Sequence, residues 1–300
     1  MSAKGRYRLG RFLLNICFIV AVSVAIYAAE DAKTCENRPN IQGWNPKDEH
    51  PCTVDRMTFE ELEAKYGLDG GLPPLFPKPL VITASSNASK RRNQRLRELT
   101  AQDRILQNFP AGFNVTLSSS NSFSEHRRTI PFAQYLEEVA TQSTTPDQLS
   151  NETWYLFGET YSKEWKDLLQ HYQLPPCRAC QPQHQEQGLI ALSFGIGNSG
   201  SGVSWHVHGP GFSEALHGRK HWIIQQERRP DFSPNQTSYN WMYYNYSQMT
   251  EAERPLECTL FPGDIIYFPD MAWHATLNMD DYTAFVSTFT QEHLFASNEK

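Results

Sequence analysis

Acidic residues are absent from the first 29 positions of this chain, and the first one is Glu30. Four basic residues in this stretch precede an apolar run at 12–29, the pattern of a secretory targeting segment. The 18 residues of the run are about the minimum for crossing a bilayer. Neither Ile26 nor Tyr27 supplies the small residue expected before a cleavage site. Both interpretations of residues 1–29, a cleaved signal peptide and an uncleaved signal anchor, therefore stay open.

The rest of the chain lacks any excess of positive charge. Removing residues 1–29 takes away four basic residues and no acidic one, which changes the formal net charge from −6 to −10. This acidic balance argues against a nucleic-acid partner. No internal repeat or low-complexity tract is present, and the content of 39% apolar and 12% aromatic residues is typical of a globular core.

Cysteine is scarce, with six residues in the chain and five of them beyond the apolar run. In an oxidising compartment some of these five pair, and the odd number leaves one thiol or an intermolecular bond. Cys177 and Cys180 form the one Cys-x-x-Cys motif of the sequence. A structural disulfide, within this pair or to Cys35 or Cys52, is favoured over a redox pair or half of a zinc site.

Asparagine sequons, by contrast, are plentiful. Five Asn-x-Ser/Thr sequons follow the apolar run, at Asn87, Asn114, Asn151, Asn235 and Asn245. With the targeting segment they predict a glycoprotein of the endoplasmic-reticulum lumen or the later secretory pathway. The expected partners are lumenal or membrane-exposed proteins. The membrane itself is contacted only through residues 1–29, if these stay uncleaved.

Helical patterns dominate the chain up to about residue 175. Thr58 and Glu61 form a capping box that begins a short helix, and Gly67 ends it. Apolar spacing of the i, i+3, i+4, i+7 type predicts further helices, and a short apolar run predicts a strand. The predicted strand is 79–83, and the predicted helices are 90–109, 132–139 and 165–172.

Beyond residue 188 the pattern changes to short apolar or alternating runs separated by Gly and Pro. The predicted strands of this part are 189–196, 203–208, 265–268 and 283–289. Short strands with this punctuation favour a β-sandwich or barrel, with the preceding helices packed outside.

The alternation at 203–208 has a chemical consequence. Side chains two apart on a strand share a face, so Ser204, His206 and His208 are predicted to point together. Two imidazoles held in this way can bind one metal ion, and His274 can supply a third ligand. By spacing alone, a His-x-His pair is more often a hydrogen-bonded structural feature than a pair of ligands.

Four ordered motifs of this second part resemble a JmjC domain of the cupin family. They are 205–212, 218–222, 262–269 and 273–278. The resemblance covers about 154–289, and 79–82 is similar to the first strand of the family. It implies a mainly β fold with flanking helices, a double-stranded β-helix (a jelly roll) with the metal inside its mouth. Residues 30–150 would then form the helical part with this first strand, and residues 151–300 the core.

The resemblance also implies chemistry. JmjC proteins are typically Fe(II)- and 2-oxoglutarate-dependent oxygenases, whose metal is held by His-x-Asp/Glu and a distant His. His206 matches the first ligand, His274 the last, and Lys220 the basic residue that pairs with the far carboxylate of 2-oxoglutarate. His208 stands where the family has its carboxylate. Three neutral imidazoles leave the metal at its full charge, which makes oxidation of iron harder and shifts ligand preference toward Zn(II) or Cu(II).

Three hypotheses follow from this altered ligand set. The first is a lumenal JmjC-like protein, with or without a metal, that is non-catalytic or weakly active and acts by binding other proteins. The alternative is a 2-oxoglutarate-dependent hydroxylase of lumenal proteins, and the third is a zinc-binding structural module. Three other carboxylates could replace the missing ligand but lack the family spacing: Glu214, Asp264 and Asp270.

Overall fold

The computed structural model describes residues 43–67, 76–178, 180, 185–186 and 188–291. The predicted targeting segment, Cys17 and Cys35 lie outside these residues. Everything described from Trp44 onward belongs to one compact unit. Among the described residues, no helix combines the length and the apolar character that a membrane span requires.

The described residues include twelve β-strands, six α-helices and four 3-10 turns, which are joined by loops. The strands are β1 (Asp55–Thr58), β2 (Leu80–Thr83), β3 (Asn114–Ser119), β4 (Arg127–Pro131), β5 (Trp154–Leu156), β6 (Ile190–Gly197), β7 (Gly211–His217), β8 (Lys220–Gln225), β9 (Leu256–Leu260), β10 (Ile265–Phe268), β11 (Trp273–Asn278) and β12 (Thr283–Thr290). The α-helices are α1 (Phe59–Tyr66), α2 (Asn87–Lys90), α3 (Gln94–Thr100), α4 (Phe132–Thr141), α5 (Lys163–Leu169) and α6 (Ser238–Tyr244). The 3-10 turns are Ile105–Asn108, Ser150–Glu152, Tyr246–Gln248 and Glu251–Glu253.

The described strands pair into two sheets. The larger sheet has the order β1-β2-β10-β7-β12-β6-β5-β3-β4, and the smaller has the order β11-β8-β9. Their facing surfaces form a shared apolar core, in which Ile266 and Phe268 of β10 pack with Trp222 and Ile224 of β8. Because helices cover the outer surfaces of these two apposed sheets, the predicted jelly roll with flanking helices is confirmed.

Aromatic side chains hold the helices against the outer faces of the sheets. On the larger sheet, Trp165 of α5 stacks on Phe194 of β6, with 5.3 Å between the ring centroids. Trp241 of α6 clusters with Ile223 and Leu277 of the smaller sheet and packs against Trp205 of the β6–β7 loop, with 5.0 Å between the centroids. Both tryptophans belong to buried apolar clusters, so the helices are fixed by the burial of these clusters.

Local sequence signals identified several elements correctly. Helix α1 begins with the predicted capping box, because the Glu61 amide donates to Thr58 Oγ1 at 3.1 Å and the Thr58 amide donates to Glu61 Oε2 at 2.7 Å. Gly67 ends it with a positive φ of 71°. Other predictions correspond to observed elements: 79–83 to β2, 132–139 to α4, 165–172 to α5, 189–196 to β6, 265–268 to β10 and 283–289 to β12.

The predicted single helix over 90–109 is only partly formed, as α3 and the 3-10 turn Ile105–Asn108, and it is interrupted at Asn93, whose φ of 54° is left-handed. The side-chain Nδ2 of Asn93 donates to both carboxylate oxygens of Glu214 at 2.9 and 2.8 Å. Its amide oxygen accepts the backbone N–H of Gln173 at 2.6 Å. These buried long-range hydrogen bonds outweigh the local helical preference.

The predicted strand over 203–208 is wrong, since only His206 makes a ladder pair, an isolated bridge to His274. The segment runs beside β11, where Val203 O also accepts the Thr276 N–H at 2.9 Å, and further hydrogen bonds join it to loops. Ser204 Oγ donates to Ser120 O at 2.7 Å and to the carbonyl of Gln236. Ser204 therefore does not join the two histidines, although the alternation of 203–208 predicted a shared face.

Two disulfides join the four cysteines within the described residues. One joins Cys177 to Cys180 within the Cys-x-x-Cys motif, so neither sulfur is a free zinc ligand. The other joins Cys52 to Cys258 across a sequence separation of 206 residues. The second disulfide fastens the segment before β1 onto β9, a pairing that the sequence did not reveal.

Candidate metal centre

Three histidines converge at the mouth of the barrel. The candidate ligand atoms of His206, His208 and His274 all lie within 4.8 Å of one another. His206 and His208 come from the loop between β6 and β7, and His274 lies on β11. Reciprocal backbone hydrogen bonds of 3.0 Å between His206 and His274 fix the loop against the strand. The fold thus brings together all three residues for which the sequence predicted a metal-binding role.

Each of the three imidazoles has one nitrogen fixed by a backbone carbonyl. The Nδ1 atoms of His206, His208 and His274 contact the carbonyls of Ser204, Gly209 and Ala272, at 2.7, 2.8 and 2.8 Å. A carbonyl can only accept, so each Nδ1 carries the hydrogen and each Nε2 keeps its lone pair. Backbone contacts of this kind orient histidine ligands in metal sites.

Burial keeps these imidazoles neutral. It lowers the pKa of His206 to about 3, with the nearby His208 and Lys220 adding to the effect. Burial also lowers the pKa of His208, and it lowers that of His274 well below its usual value. Three neutral imidazoles with convergent lone pairs are a donor set that Zn(II), Cu(II) and Fe(II) accept. The residues present therefore fit a divalent metal ion.

Lys220 lies in the same chamber. It begins β8 and is 1% exposed, and its Nζ donates to Asn278 Oδ1 at 3.0 Å. The amine lies 3.7 Å from the centroid of the Phe285 ring. Burial lowers the pKa of Lys220 to about 7. Among the described residues no carboxylate forms an ion pair with this amine.

None of the alternative carboxylates joins the described ligands. Glu214 points to the other side of the large sheet and accepts from Asn93. Asp264 accepts the Phe261 amide at 3.0 Å, and Asp270 is exposed. Within the described part of the chain, the centre therefore has three neutral nitrogen donors and no carboxylate.

The chamber around the histidines and Lys220 is small and mostly aromatic. Its volume available to a water-sized molecule is about 20 Å³. Its walls include Phe157, Trp222, Phe268, Phe285 and Phe289. This volume counts only the positions open to the centre of such a molecule, so the chamber holds more than one atom but is narrow. A metal ion with one small ligand fits it, and the aromatic walls leave little length for a five-carbon dicarboxylate such as 2-oxoglutarate.

Sequence reasoning missed the aromatic residues and Asn278 that complete the chamber. The wall formed by β12 could have been predicted, because every second side chain of a strand faces the same side. Phe285, Ser287 and Phe289 are two apart on β12 and all line the chamber. No sequence signal indicated that Asn278 would contact Lys220, since this depends on the register of β11 against β8.

Sequence comparison relates this chain to known proteins. A JmjC-domain family model matches residues 201–296, which include all three histidines and Lys220. JmjC domain-containing protein 8 of Rattus norvegicus is 36% identical over 294 residues, which cover 96% of this chain and 99% of the rat protein. The Homo sapiens protein of the same name is 37% identical over 261 residues, covering 82% of this chain and 89% of its own length.

A more distant relative is Lysine-specific demethylase JMJ21 of Arabidopsis thaliana. It is 26% identical over 210 residues, which are 61% of this chain and 20% of that protein. Fold, histidine cluster and family match together define a JmjC-domain protein. At 36% identity over nearly the full length of both chains, the protein belongs to the JmjC domain-containing protein 8 family.

The buried histidines predict how the stability of the metal-free protein depends on pH. The unfolded chain takes up protons on these imidazoles below about pH 6.5, whereas the folded chain does not until its lowered pKa values are reached. The stabilisation that these neutral histidines give to the folded protein is therefore complete above about pH 6.5, and it is lost as the pH falls toward about 3.

Urea unfolding of the chelator-treated protein at several pH values measures this effect. We expect the free energy of unfolding to drop between pH 7 and pH 5, and to drop less in His206→Gln. An equally steep drop in this variant would show that other groups cause the dependence.

Proposed function

We propose that this protein is a metal-binding JmjC protein of the secretory lumen that acts by binding other proteins, without the oxygenase turnover typical of the family. The observation that carries the proposal is the ligand set: three neutral imidazoles converge, and no carboxylate among the described residues joins them. His208, which stands at the family's carboxylate position, lies with the other two histidines, 4.8 Å from His274 between ring centroids.

The ligand set matters because of charge. A carboxylate ligand offsets part of the charge of Fe(II) and stabilises higher oxidation states, and three imidazoles do not. Three histidines with an open fourth position are a common arrangement for zinc. The centre is therefore better suited to holding a divalent ion in one oxidation state than to cycling iron through oxidation.

Two features support a lumenal location. Both disulfides suit an oxidising compartment, because thiols stay reduced in the cytosol. The asparagines of four sequons, Asn87, Asn114, Asn151 and Asn235, are exposed and accessible to glycans. In that location a nuclear role such as histone demethylation does not apply.

One exposed apolar side chain lies beside the centre. Met271 is 60% exposed, and its backbone N–H donates to His208 O at 3.0 Å. A protein that docks over the centre would cover this side chain.

The alternative, a lumenal protein hydroxylase, has one observation in its favour. Lys220, which the family resemblance assigns to 2-oxoglutarate, lines the same chamber as the three histidines. An inactive scaffold would keep this lysine too, and aromatic side chains narrow the chamber around it. Hydroxylation therefore ranks second, and only the position of Lys220 supports it.

Metal content and turnover distinguish the two candidates. The purified lumenal domain should retain about one Zn(II) or other divalent ion per chain, and His274→Ala should lose it, because two imidazoles hold a metal poorly. With Fe(II) supplied, conversion of 2-oxoglutarate to succinate should stay at background. His126→Ala, an exposed histidine outside the cluster, is the control and should keep the metal.

Stoichiometric iron with succinate formation that His274→Ala abolishes would contradict the proposal and establish the hydroxylase. His208→Asp restores the family ligand and should raise the affinity for Fe(II). Unchanged metal binding in this variant would show that His208 is not a ligand.

Glycosylation should follow the exposure of the sequons. The Asn245 side chain is half-buried, and its Oδ1 accepts from Gln236 Nε2 at 2.8 Å, so a glycan there would disrupt a hydrogen bond. Protein secreted or retained by animal cells should lose mass on glycosidase treatment. Asn→Gln at each of the four exposed sequons should remove one glycan, and Asn245→Gln should remove none. A protein that carries no glycans at these sequons would contradict the lumenal location.

A further inference from the structure

We infer that the chamber binds its metal together with a small anion of one to three heavy atoms, and that Phe285 closes it to 2-oxoglutarate. This inference rests on the metal binding proposed above and adds the identity of the second ligand. It is drawn from the charge, the volume and one aromatic side chain of the chamber.

The charge of the chamber calls for an anion. The residues that line it include three histidines and Lys220 but no aspartate or glutamate. The amine of Lys220 has a single hydrogen-bond acceptor, Asn278, and an aromatic ring as its neighbours. A divalent ion bound here would add charge to a buried site without a negative side chain. Uncompensated charge in a buried site is costly, so an anion on the metal stabilises the assembly.

The volume limits the size of that anion. About 20 Å³ is open to a water-sized molecule, and several aromatic rings surround it. Phe268 and Phe289 flank His208, at 5.3 and 5.2 Å between ring centroids. Hydroxide, halide, formate or azide suits such a space. A dicarboxylate with a five-carbon chain requires a much longer one.

Phe285 is the side chain that shortens the chamber at its lysine end. In the register of β12 against β6 it lies opposite Gly195. A Cβ on Gly195 would lie 2.3 Å from Phe285 Cζ and 2.6 Å from Cε1, so the ring rests against the bare backbone of this glycine. It also contacts Lys220 Nζ, 3.7 Å from the ring centroid, and the ring of Phe157, 5.4 Å between centroids. The ring thus occupies the space between β6 and the amine.

Cobalt spectroscopy of the loaded protein tests the inference without measuring catalysis. Co(II) gives a visible absorption spectrum that changes when a ligand joins the metal. Formate or azide added to the wild-type Co(II) protein should change this spectrum saturably. Millimolar 2-oxoglutarate should leave it unchanged, with the metal still bound after desalting.

Shortening Phe285 should reverse the preference. In Phe285→Ala, 2-oxoglutarate should change the cobalt spectrum and bind at least about tenfold more tightly than to wild type. Phe285→Leu provides a milder version if the alanine variant does not fold. Phe194→Leu removes a ring from the opposite face of β6 and should respond like wild type, because Phe194 packs on Trp165 instead.

The outcomes separate this inference from the proposed function. Failure to take up Co(II) would overturn the metal centre and this inference with it. If the wild-type protein takes up Co(II) and its spectrum changes with 2-oxoglutarate, the inference alone is overturned and the metal centre stands. The inference would also be overturned if formate and azide left the cobalt spectrum unchanged. The same holds if 2-oxoglutarate left the spectra of the Phe285 variants unchanged.

Discussion

The backbone pairing between His206 and His274 is the interaction on which the centre depends. Two hydrogen bonds of 3.0 Å join residues from different parts of the chain, in a loop and on β11. Each imidazole then turns its Nε2 inward because a carbonyl one or two residues away holds its Nδ1. The convergence of the donors is therefore a property of the backbone. It persists although 203–208 forms no regular strand.

The same geometry limits what the centre can do. Its donors are neutral, its walls are aromatic, and its one ammonium-forming side chain is buried. The JmjC fold is shared with oxygenases, but function depends on the site rather than on the fold. Substitution of a histidine for one carboxylate changes the charge at the metal, and Phe285 changes the room beside it. Both changes favour a bound ion over an oxidation cycle, which is why we propose a binding role for the protein.

Much of this could be predicted from the sequence, and the rest depends on tertiary contacts. The ordered motifs around His206, Lys220 and His274 indicated the jelly roll and the three histidines. Local signals placed α1 at its capping box, because capping involves only neighbouring residues. They failed at Asn93, where a buried contact with Glu214 breaks the predicted helix.

The chamber shows the same limit. Its size depends on Phe285 resting on Gly195, and this contact arises from strand register between residues 90 positions apart. Alternation along β12 indicates which side chains face inward, but it does not indicate how much space they leave. The Cys52–Cys258 disulfide likewise could not be paired from the sequence, because spacing does not determine connectivity.

X-ray absorption of the metal-loaded protein tests the central claim most directly, because imidazole rings produce characteristic multiple scattering. We expect three histidine ligands, with nitrogen atoms at about 2.0–2.1 Å if the metal is zinc, and one small additional ligand. A spectrum with two imidazoles and a protein carboxylate would contradict it, since the centre would then be an ordinary member of the oxygenase family.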